Sequence, residues 1–173
     1  MVTARLVIWH RYNATGFSIS PRPQKRFEIR SCGREQWKKF SKYHYLSNEL
    51  ASACICYGLY DNENIIGFIG ILHQPNPKNL KLKRVSRLVI LPDYQGIGLG
   101  RKFLNEIAKI YINKGYDFSI ITTAKNLINA LRKDPNWCFT RYGITKPTKD
   151  KRAKIDYNRK IRQCATASFM YKK

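Results

Sequence analysis

One stretch of the chain sets a strand, a glycine-rich turn and a helix in immediate succession. Residues 85–91 are rich in β-branched and apolar side chains, which favour a strand, and Pro-Asp-Tyr at 92–94 ends that strand in a turn. Glycines stand at positions 96, 98 and 100, and apolar residues then recur at helical spacing over 103–111 before Gly115 supplies a stop signal. Because glycines allow close backbone approach and the free N–H groups of a helix's first turn attract phosphate, the stretch predicts a pyrophosphate-binding turn.

Two other glycine-rich phosphate sites do not fit these residues. A P-loop needs Gly-Lys-Ser/Thr after its glycines, and that sequence does not follow here. The dinucleotide-binding fingerprint needs a third glycine where Arg101 stands, and an acidic residue at the end of the next strand, which here ends in Thr122 and Thr123. Both classes of nucleotide site are therefore excluded.

The remaining pattern resembles motif A of the GNAT acyltransferase superfamily, Gln/Arg-x-x-Gly-x-Gly/Ala, which Gln95, Gly98 and Gly100 match. The resemblance covers the chain from about residue 27 to the C-terminus. It implies a mixed α/β fold, with a twisted mixed sheet of about six to seven strands flanked by helices. It also implies acetyl-CoA or coenzyme A as the cofactor, with the pyrophosphate on the amides of the motif.

The cofactor-binding residues that this resemblance implies surround the motif. The strand before it would pair with the pantetheine arm, the turn would bind the pyrophosphate, and Arg101 would add charge at the start of the helix. The full set is Leu88, Val89, Ile90, Gln95, Gly96, Ile97, Gly98, Leu99, Gly100, Arg101 and Asn126. No residue is assigned to a metal.

The length of 173 residues suits one domain, residues 1–173. Residues 1–25 form an N-terminal extension with one added strand, and residues 144–164 form a basic insertion before the last strand. Pattern predicts further strands at 27–32, 51–60, 65–72, 116–123, 137–142 and 167–171, and helices at 34–45 and 126–133.

The net charge of +22, from 33 Lys and Arg against 11 Asp and Glu, indicates a polyanionic partner. Nucleic acid, and DNA before RNA, is the leading candidate, whereas a solvated basic surface is the alternative. The basic insertion has two interpretations of the same kind: it is a solvated loop, or it binds phosphate. The predicted nucleic-acid-binding residues are Lys83, Arg84, Lys146, Lys149, Lys151, Arg152, Lys154, Arg159 and Lys160.

Cysteine usage and hydropathy indicate a cytoplasmic protein. Five cysteines, an odd number without CxxC spacing, argue against a disulfide framework or a zinc site and for a reducing compartment. No apolar run approaches the length of a membrane span, and the N-terminus lacks the hydrophobic segment of a signal peptide.

The candidate catalytic residues are His44, Tyr45, Arg87 and Tyr142. An attacking ammonium must lose a proton, and of the three histidines His44 is the best placed base, with packing inside a helix as the equally weighted alternative. Its tyrosine neighbours offer stacking faces at the acceptor entrance that the resemblance implies. Many GNAT members protonate the departing thiolate with a tyrosine on the helix after the fifth strand. That helix has no tyrosine here, so Tyr142 is a substitute and solvent the alternative.

A narrower similarity links the chain to phage Mom-type DNA modification enzymes, which place a small group on adenine N6. It rests on the His-Tyr pair, the strand arginine, the missing helix tyrosine, the segment at 137–143 and the basicity. The leading functional prediction is thus a GNAT-type transferase that modifies an amine on a nucleic acid. Two alternatives stay open at this point: an acetyltransferase of a protein or small amine, and a non-catalytic basic module that binds nucleic acid.

Overall fold

A computed structural model describes residues 2–8, 25–44, 49–144 and 165–173 of the protein. The described residues form eight strands, which we number β1 to β8, and three α-helices. The strands are β1 (Val2–Ile8), β2 (Lys25–Ser31), β3 (Ile55–Asp61), β4 (Asn64–His73), β5 (Leu82–Ile90), β6 (Asp117–Thr122), β7 (Trp137–Ile144) and β8 (Ala165–Tyr171). The helices are α1 (Trp37–Phe40), α2 (Leu99–Asn113) and α3 (Lys125–Arg132).

The strands make one mixed sheet in the order β1-β2-β3-β4-β5-β6-β8-β7. Every neighbouring pair is antiparallel except β5 and β6, which are parallel and are joined through α2. The fold class predicted from sequence is confirmed, but the sheet has eight described strands rather than six or seven. Strand β1, the added strand predicted for the N-terminal extension, pairs antiparallel with β2 at the edge of the sheet and brings the number of described strands to eight.

Helix α2 forms because its apolar residues share one face. Phe103, Leu104, Ile107, Ala108 and Tyr111 are all buried, and their three- and four-residue spacing puts them against the sheet. The helix ends where the chain turns through Gly115 at φ 78°. With α3 it forms the layer that covers one face of the sheet, over the larger of two core clusters.

The opposite face of the sheet is covered by a broken helical segment. A helix was predicted over residues 34–45, but only Trp37–Phe40 is α-helical, and single 3-10 turns precede and follow it. Ser41 Oγ lies 3.3 Å from the carbonyl oxygen of Lys38, a side-chain bond to the backbone that competes with a continuous helix. Trp37 and Phe40 still pack on Phe68 of β4, as the predicted helix face requires.

Candidate functional site

A β-bulge opens the sheet next to the glycine-rich turn. Gly70 of β4 pairs with Arg87, while the next residue, Ile71, pairs with Val85, so Ser86 is an extra residue in β5. The parallel pairing of β5 with β6 ends at the Val85 position. Beyond the bulge the two strands therefore separate, and a gap opens between them.

The gap contains a cavity of about 210 Å³. Its walls combine the separated strands, the segment after α1 and the start of α3, and thus both faces of the sheet. The lining residues are Tyr43, His44, Val85, Ser86, Leu88, Val89, Ile90, Gln95, Ile120, Ile121, Thr122, Ala124 and Leu127.

The backbone of β5 presents polar groups to this gap. Leu91 N–H donates to the Ile66 carbonyl at 2.9 Å, so antiparallel alternation directs the N–H and C=O of Ile90 and Leu88 away from β4 and toward the gap. The same alternation turns the backbone groups of Val89 toward β4. Gln95 Nε2 already donates to the Ile90 carbonyl at 2.7 Å. Of the three predicted pantetheine partners, Leu88 and Ile90 thus have the geometry to pair with an extended ligand.

The glycine-rich turn leads directly into α2. Gly96 and Gly98 have φ values of 83° and 75°, which disfavour a residue with a Cβ, and Gly98 is the N-cap residue of α2. A Cβ built at either glycine would meet no atom within 4 Å, so the turn faces open space. The first-turn N–H groups of a 15-residue helix, with its dipole, make this an anion-binding end.

A second cavity, of about 470 Å³, lies between this turn and α3. Its walls include six predicted cofactor residues from the turn and the start of α2, together with Asn126. The lining residues are Leu88, Ile90, Gln95, Gly96, Gly98, Leu99, Gly100, Arg101, Ala124, Asn126, Leu127 and Ala130. Five of these residues also line the gap, so the two cavities adjoin. We call the adjoining pair, from the helix end to His44, the channel.

Arg101 has an internal partner. Its guanidinium lies 2.6 Å from Asp134, whose side chain is only 1% exposed, whereas Arg101 is 36% exposed. Burial by itself would raise the pKa of Asp134, but hydrogen bonds from Asn105, the Asn136 backbone and Arg101 lower it below its ordinary value. Arg101 thus lines the channel while it ties α2 to the loop before β7.

His44 and Arg87 meet on the α1 side of the gap. The His44 ring contacts the Trp37 ring edge-on, with 5.6 Å between the ring centres. The Arg87 guanidinium lies 5.8 Å from the centre of the Trp37 ring. Arg87 also donates to the Glu49 carbonyl at 3.0 Å. Burial, and then the charge of Arg87, lower the pKa of His44 to about 4. His44 is therefore both packed and directed at the cavity, and it is neutral at physiological pH.

Of the other two candidate catalytic residues, only Tyr142 is among the described residues. Tyr142 does not line either part of the channel. It lies on β7 in a separate hollow, with its ring centre 5.9 Å from the guanidinium of Arg132. Tyr45 lies outside the described residues.

Most of the predicted nucleic-acid-binding residues, those at 146–160, also lie outside the described residues. Lys83 is buried, and its Nζ lies 4.6 Å from the ring centre of Tyr116, so its role in nucleic-acid binding stays a prediction. Strand β5 begins at Leu82, so this lysine is part of the sheet and is stabilised by aromatic rings. Arg84 is half-buried and its Nε lies 3.4 Å from Ser119 Oγ, and its predicted role stays a prediction.

Sequence reasoning missed three polar residues at the site. Ser86 and Thr122 line the gap, and Thr122 Oγ1 also accepts the Ala124 N–H at 3.1 Å before α3 begins. Asp134 holds Arg101. Ser86 has a signal in the sequence, because it is a hydroxyl inside an apolar strand run. Neither Thr122 nor Asp134 has one without the fold.

The chain belongs to the GNAT acetyltransferase family. A profile described as "Acetyltransferase (GNAT) family" matches residues 22–132, which include the bulged strand, the glycine-rich turn and α3. The resemblance noted from motif A is thereby confirmed for the superfamily, while the narrower likeness to Mom-type enzymes stays a prediction. Among curated protein sequences, no relative matches the chain.

Solved structures of acetyltransferases share the fold at low sequence identity. The ribosomal-protein-S18-alanine N-acetyltransferase from Escherichia coli has 15% identity and a TM-score of 0.60, over 84% of this chain and 92% of that one. A Bacillus subtilis acetyltransferase in complex with CoA has 12% identity and a TM-score of 0.59, over 85% and 97%. Arabidopsis thaliana NAA60 in complex with acetyl-CoA has 12% identity and a TM-score of 0.59, over 84% and 97%. The last two structures contain the expected cofactor, as CoA in the first and as acetyl-CoA in the second.

Two further properties concern only the described part of the chain. No helix within it has the length and apolar character needed to cross a bilayer. No group of three or more His, Cys, Asp or Glu side chains within it is arranged to hold a metal ion.

Proposed function

We propose that the protein is an N-acyltransferase that takes its acyl group from acetyl-CoA, or a related acyl-CoA, and modifies an amine on a nucleic acid. The observation that supports the donor assignment is the pair of adjoining cavities between the α2 N-terminus and His44. Its residues fit coenzyme A, since the open glycine turn suits a pyrophosphate and the gap-facing backbone of Leu88 and Ile90 suits an extended amide arm. Bound there, acetyl-CoA would supply the activated acyl thioester.

The chain's own residues position the donor and admit the acceptor. Gln95 fixes the Ile90 carbonyl at the mouth of the gap, and Asn126 offers an amide on the α3 wall. The acceptor amine enters from the side of Tyr43 and His44, where the cavity ends. Burial, and then the charge of Arg87, keep the pKa of His44 low, so this ring is neutral. A neutral imidazole would accept a hydrogen bond from the amine and take its proton as the new N–C bond forms. The C–S bond of the thioester would break in the same transfer, and solvent would protonate the departing thiolate, since Tyr142 does not line the channel.

The assignment of the acceptor rests on charge. A net charge of +22 exceeds what the anionic cofactor needs, and it favours an acceptor that is itself a polyanion. The alternative is an acetyltransferase of a protein or small amine, in which the basic surface has no role in acceptor binding. Its support is that the E. coli structural relative is a protein N-acetyltransferase by name.

The donor site is tested by Gly98→Val. At φ 75° a β-branched residue strains the turn, and its side chain fills the open space at the helix end, so coenzyme A binding measured by calorimetry should be lost. Gly143→Val is the matched control, because that glycine has no positive φ and its added Cβ also meets nothing within 4 Å. Binding by Gly98→Val at wild-type affinity would remove the pyrophosphate assignment.

The acceptor is tested by incubating the protein with acetyl-CoA and either single-stranded DNA, RNA or a basic peptide, followed by mass spectrometry of the digested products. An acyl mass added to a nucleoside supports the proposal. A product only on the peptide would instead support the alternative. Coenzyme A binding without any product would favour the non-catalytic module.

A further inference from the structure

A separate polar hollow lies beside α3, on the side of the helix away from the coenzyme channel. Leu127 and Ala130 line the channel, whereas a different set of α3 residues faces β7. Between α3 and β7 lies a hollow of about 360 Å³, lined by Lys125, Ile128, Asn129, Arg132 and Tyr142. None of these five residues is acidic. One short helix thus separates the channel from a basic hollow.

Two exposed aromatic rings belong to the β7 side of this hollow. The pairing of β7 with β8 shifts between Phe139 and Arg141, so Thr140 is an extra residue in β7. This bulge puts Phe139 and Tyr142 on the same face of the strand, opposite Phe169 and Ala167 of β8. Phe139 is 42% exposed and Tyr142 is 57% exposed. Such rings on an edge strand are available to stack with a partner.

The guanidinium of Arg132 lies close to both rings. The guanidinium carbon of Arg132 lies 5.0 Å from the ring centre of Phe139 and 5.9 Å from that of Tyr142. Lys125 lies two helical turns earlier on the same side of α3. The surface therefore combines aromatic faces with cations at fixed separation and lacks a carboxylate among its lining residues. This is the composition that binds single-stranded nucleic acid, in which bases stack on rings and phosphates contact cations.

We propose that this hollow, which we call the α3–β7 surface, binds a single-stranded segment of nucleic acid through base stacking on Tyr142 and phosphate contacts to Lys125 and Arg132. The proposal rests on the proposed function, since it supplies the surface that holds the acceptor strand. It commits to nucleic acid because the hollow is cationic and aromatic on a chain of net charge +22. An acidic protein segment would match the charge but not use the exposed ring in the same way.

The test is fluorescence anisotropy with a labelled single-stranded DNA of about twelve nucleotides, a length within the roughly 4–16 that such surfaces cover. Tyr142→Ala should weaken binding by roughly 5- to 150-fold, the range for loss of one stacked base, and Tyr142→Phe should restore it. Arg132→Ala should weaken binding and reduce the salt slope by about 0.7 unit, the value for one phosphate contact on a single strand. With an abasic strand of the same length, the effect of Tyr142→Ala should disappear.

The matched control is Arg141→Ala, which makes the same charge change on the opposite face of β7, beside Ser168. Equal losses in Arg132→Ala and Arg141→Ala would overturn the surface, as would unchanged binding by Tyr142→Ala. Competition by polyglutamate of equal charge that is as effective as unlabelled DNA would overturn the choice of nucleic acid. Wild-type protein that binds coenzyme A but no oligonucleotide would overturn both this surface and the nucleic-acid acceptor, and leave the donor site standing.

Discussion

At the scale of single residues, the carboxylate of Asp134 shows how a buried charge can be stabilised by its neighbours. It accepts hydrogen bonds from Arg101 at 2.6 Å, Asn105 at 2.9 Å and Asn136 through both backbone and side chain. Asn105 in turn accepts the Trp137 indole N–H at 2.7 Å. One carboxylate therefore links α2, the loop after α3 and the start of β7.

We predict that Asp134→Ala lowers the free energy of unfolding by about 2–3 kcal/mol. This is below the roughly 3–5 kcal/mol for breaking a fully buried pair, because Arg101 is 36% exposed and can rehydrate. Chemical denaturation measures the change. Arg101→Ala should cost less than Asp134→Ala, since it leaves the amide donors in place, and the reverse order would contradict this account.

The same carboxylate predicts a pH dependence. Its pKa in the folded protein is below the ordinary value of 3.8, so the stabilisation is fully present above that value and is lost as pH falls through the folded pKa. Asp134→Asn keeps the shape without the charge. The difference in unfolding free energy between wild type and Asp134→Asn should therefore be constant at neutral pH and shrink in acid. A difference that grows in acid would contradict the assigned direction.

His44 gives a prediction about turnover. Its pKa of about 4 is below the near-neutral value at which a base works best. Because the ring stays unprotonated throughout the neutral range, its contribution to kcat should not change with pH there. His44→Ala should reduce kcat by about a hundredfold, the lower range for a positioned acid–base group, with coenzyme A binding unchanged.

His44→Gln separates the two possible roles of this ring. Glutamine keeps a hydrogen-bonding group but takes no proton, so activity as low as in His44→Ala would support a base. Recovered activity would support a role in positioning, and a lowered melting temperature with lost coenzyme A binding would support packing on Trp37 alone.

At the scale of elements, the sequence predicted the order of strands and helices because apolar periodicity and glycine positions are local signals. The strand, glycine turn and helix at β5 and α2 are confirmed for this reason. Element ends were less predictable. Strand β5 begins at Leu82, and Lys83 inside it is buried beside the ring of Tyr116, a contact across 33 residues that a lysine in isolation does not indicate. The ion pair of Arg101 with Asp134 spans 33 residues and is equally non-local.

The gap between β5 and β6 has its physical cause in the register of the strands. The extra residue in β5 is visible only when β5 is aligned with β4, so no property of Ser86 alone reveals it. The bulge in β7, which brings Phe139 and Tyr142 to one face, depends on β8 in the same way. Non-local pairing thus decides both the channel and the α3–β7 surface.

At the scale of the whole molecule, positive charge is concentrated in residues 145–164, which contain eight Lys or Arg against two Asp. Residues 145–164 connect Ile144 to Ala165, which pair with each other at the end of the β7–β8 hairpin. By sequence this connection includes Lys149, Lys151 and Arg152 among its many cations. Its two ends are therefore anchored on the strand pair that also carries the α3–β7 surface.

We predict that binding of single-stranded DNA weakens steeply with salt, because each neutralised phosphate releases condensed counterions. Replacing Lys149, Lys151, Arg152 and Lys154 together by Ala should reduce the slope of log K against log salt by about two to three units, at roughly 0.7 per contact. The charge-matched control replaces four other exposed lysines by Ala. They lie at the end of the sheet away from the connection between Ile144 and Ala165: Lys78, Lys81, Lys114 and Lys172. If both quadruple variants flatten the slope equally, the basic surface acts only through net charge. If neither quadruple variant changes the slope, these residues do not bind the polyanion that the charge of +22 favours. The α3–β7 surface alone must then account for binding.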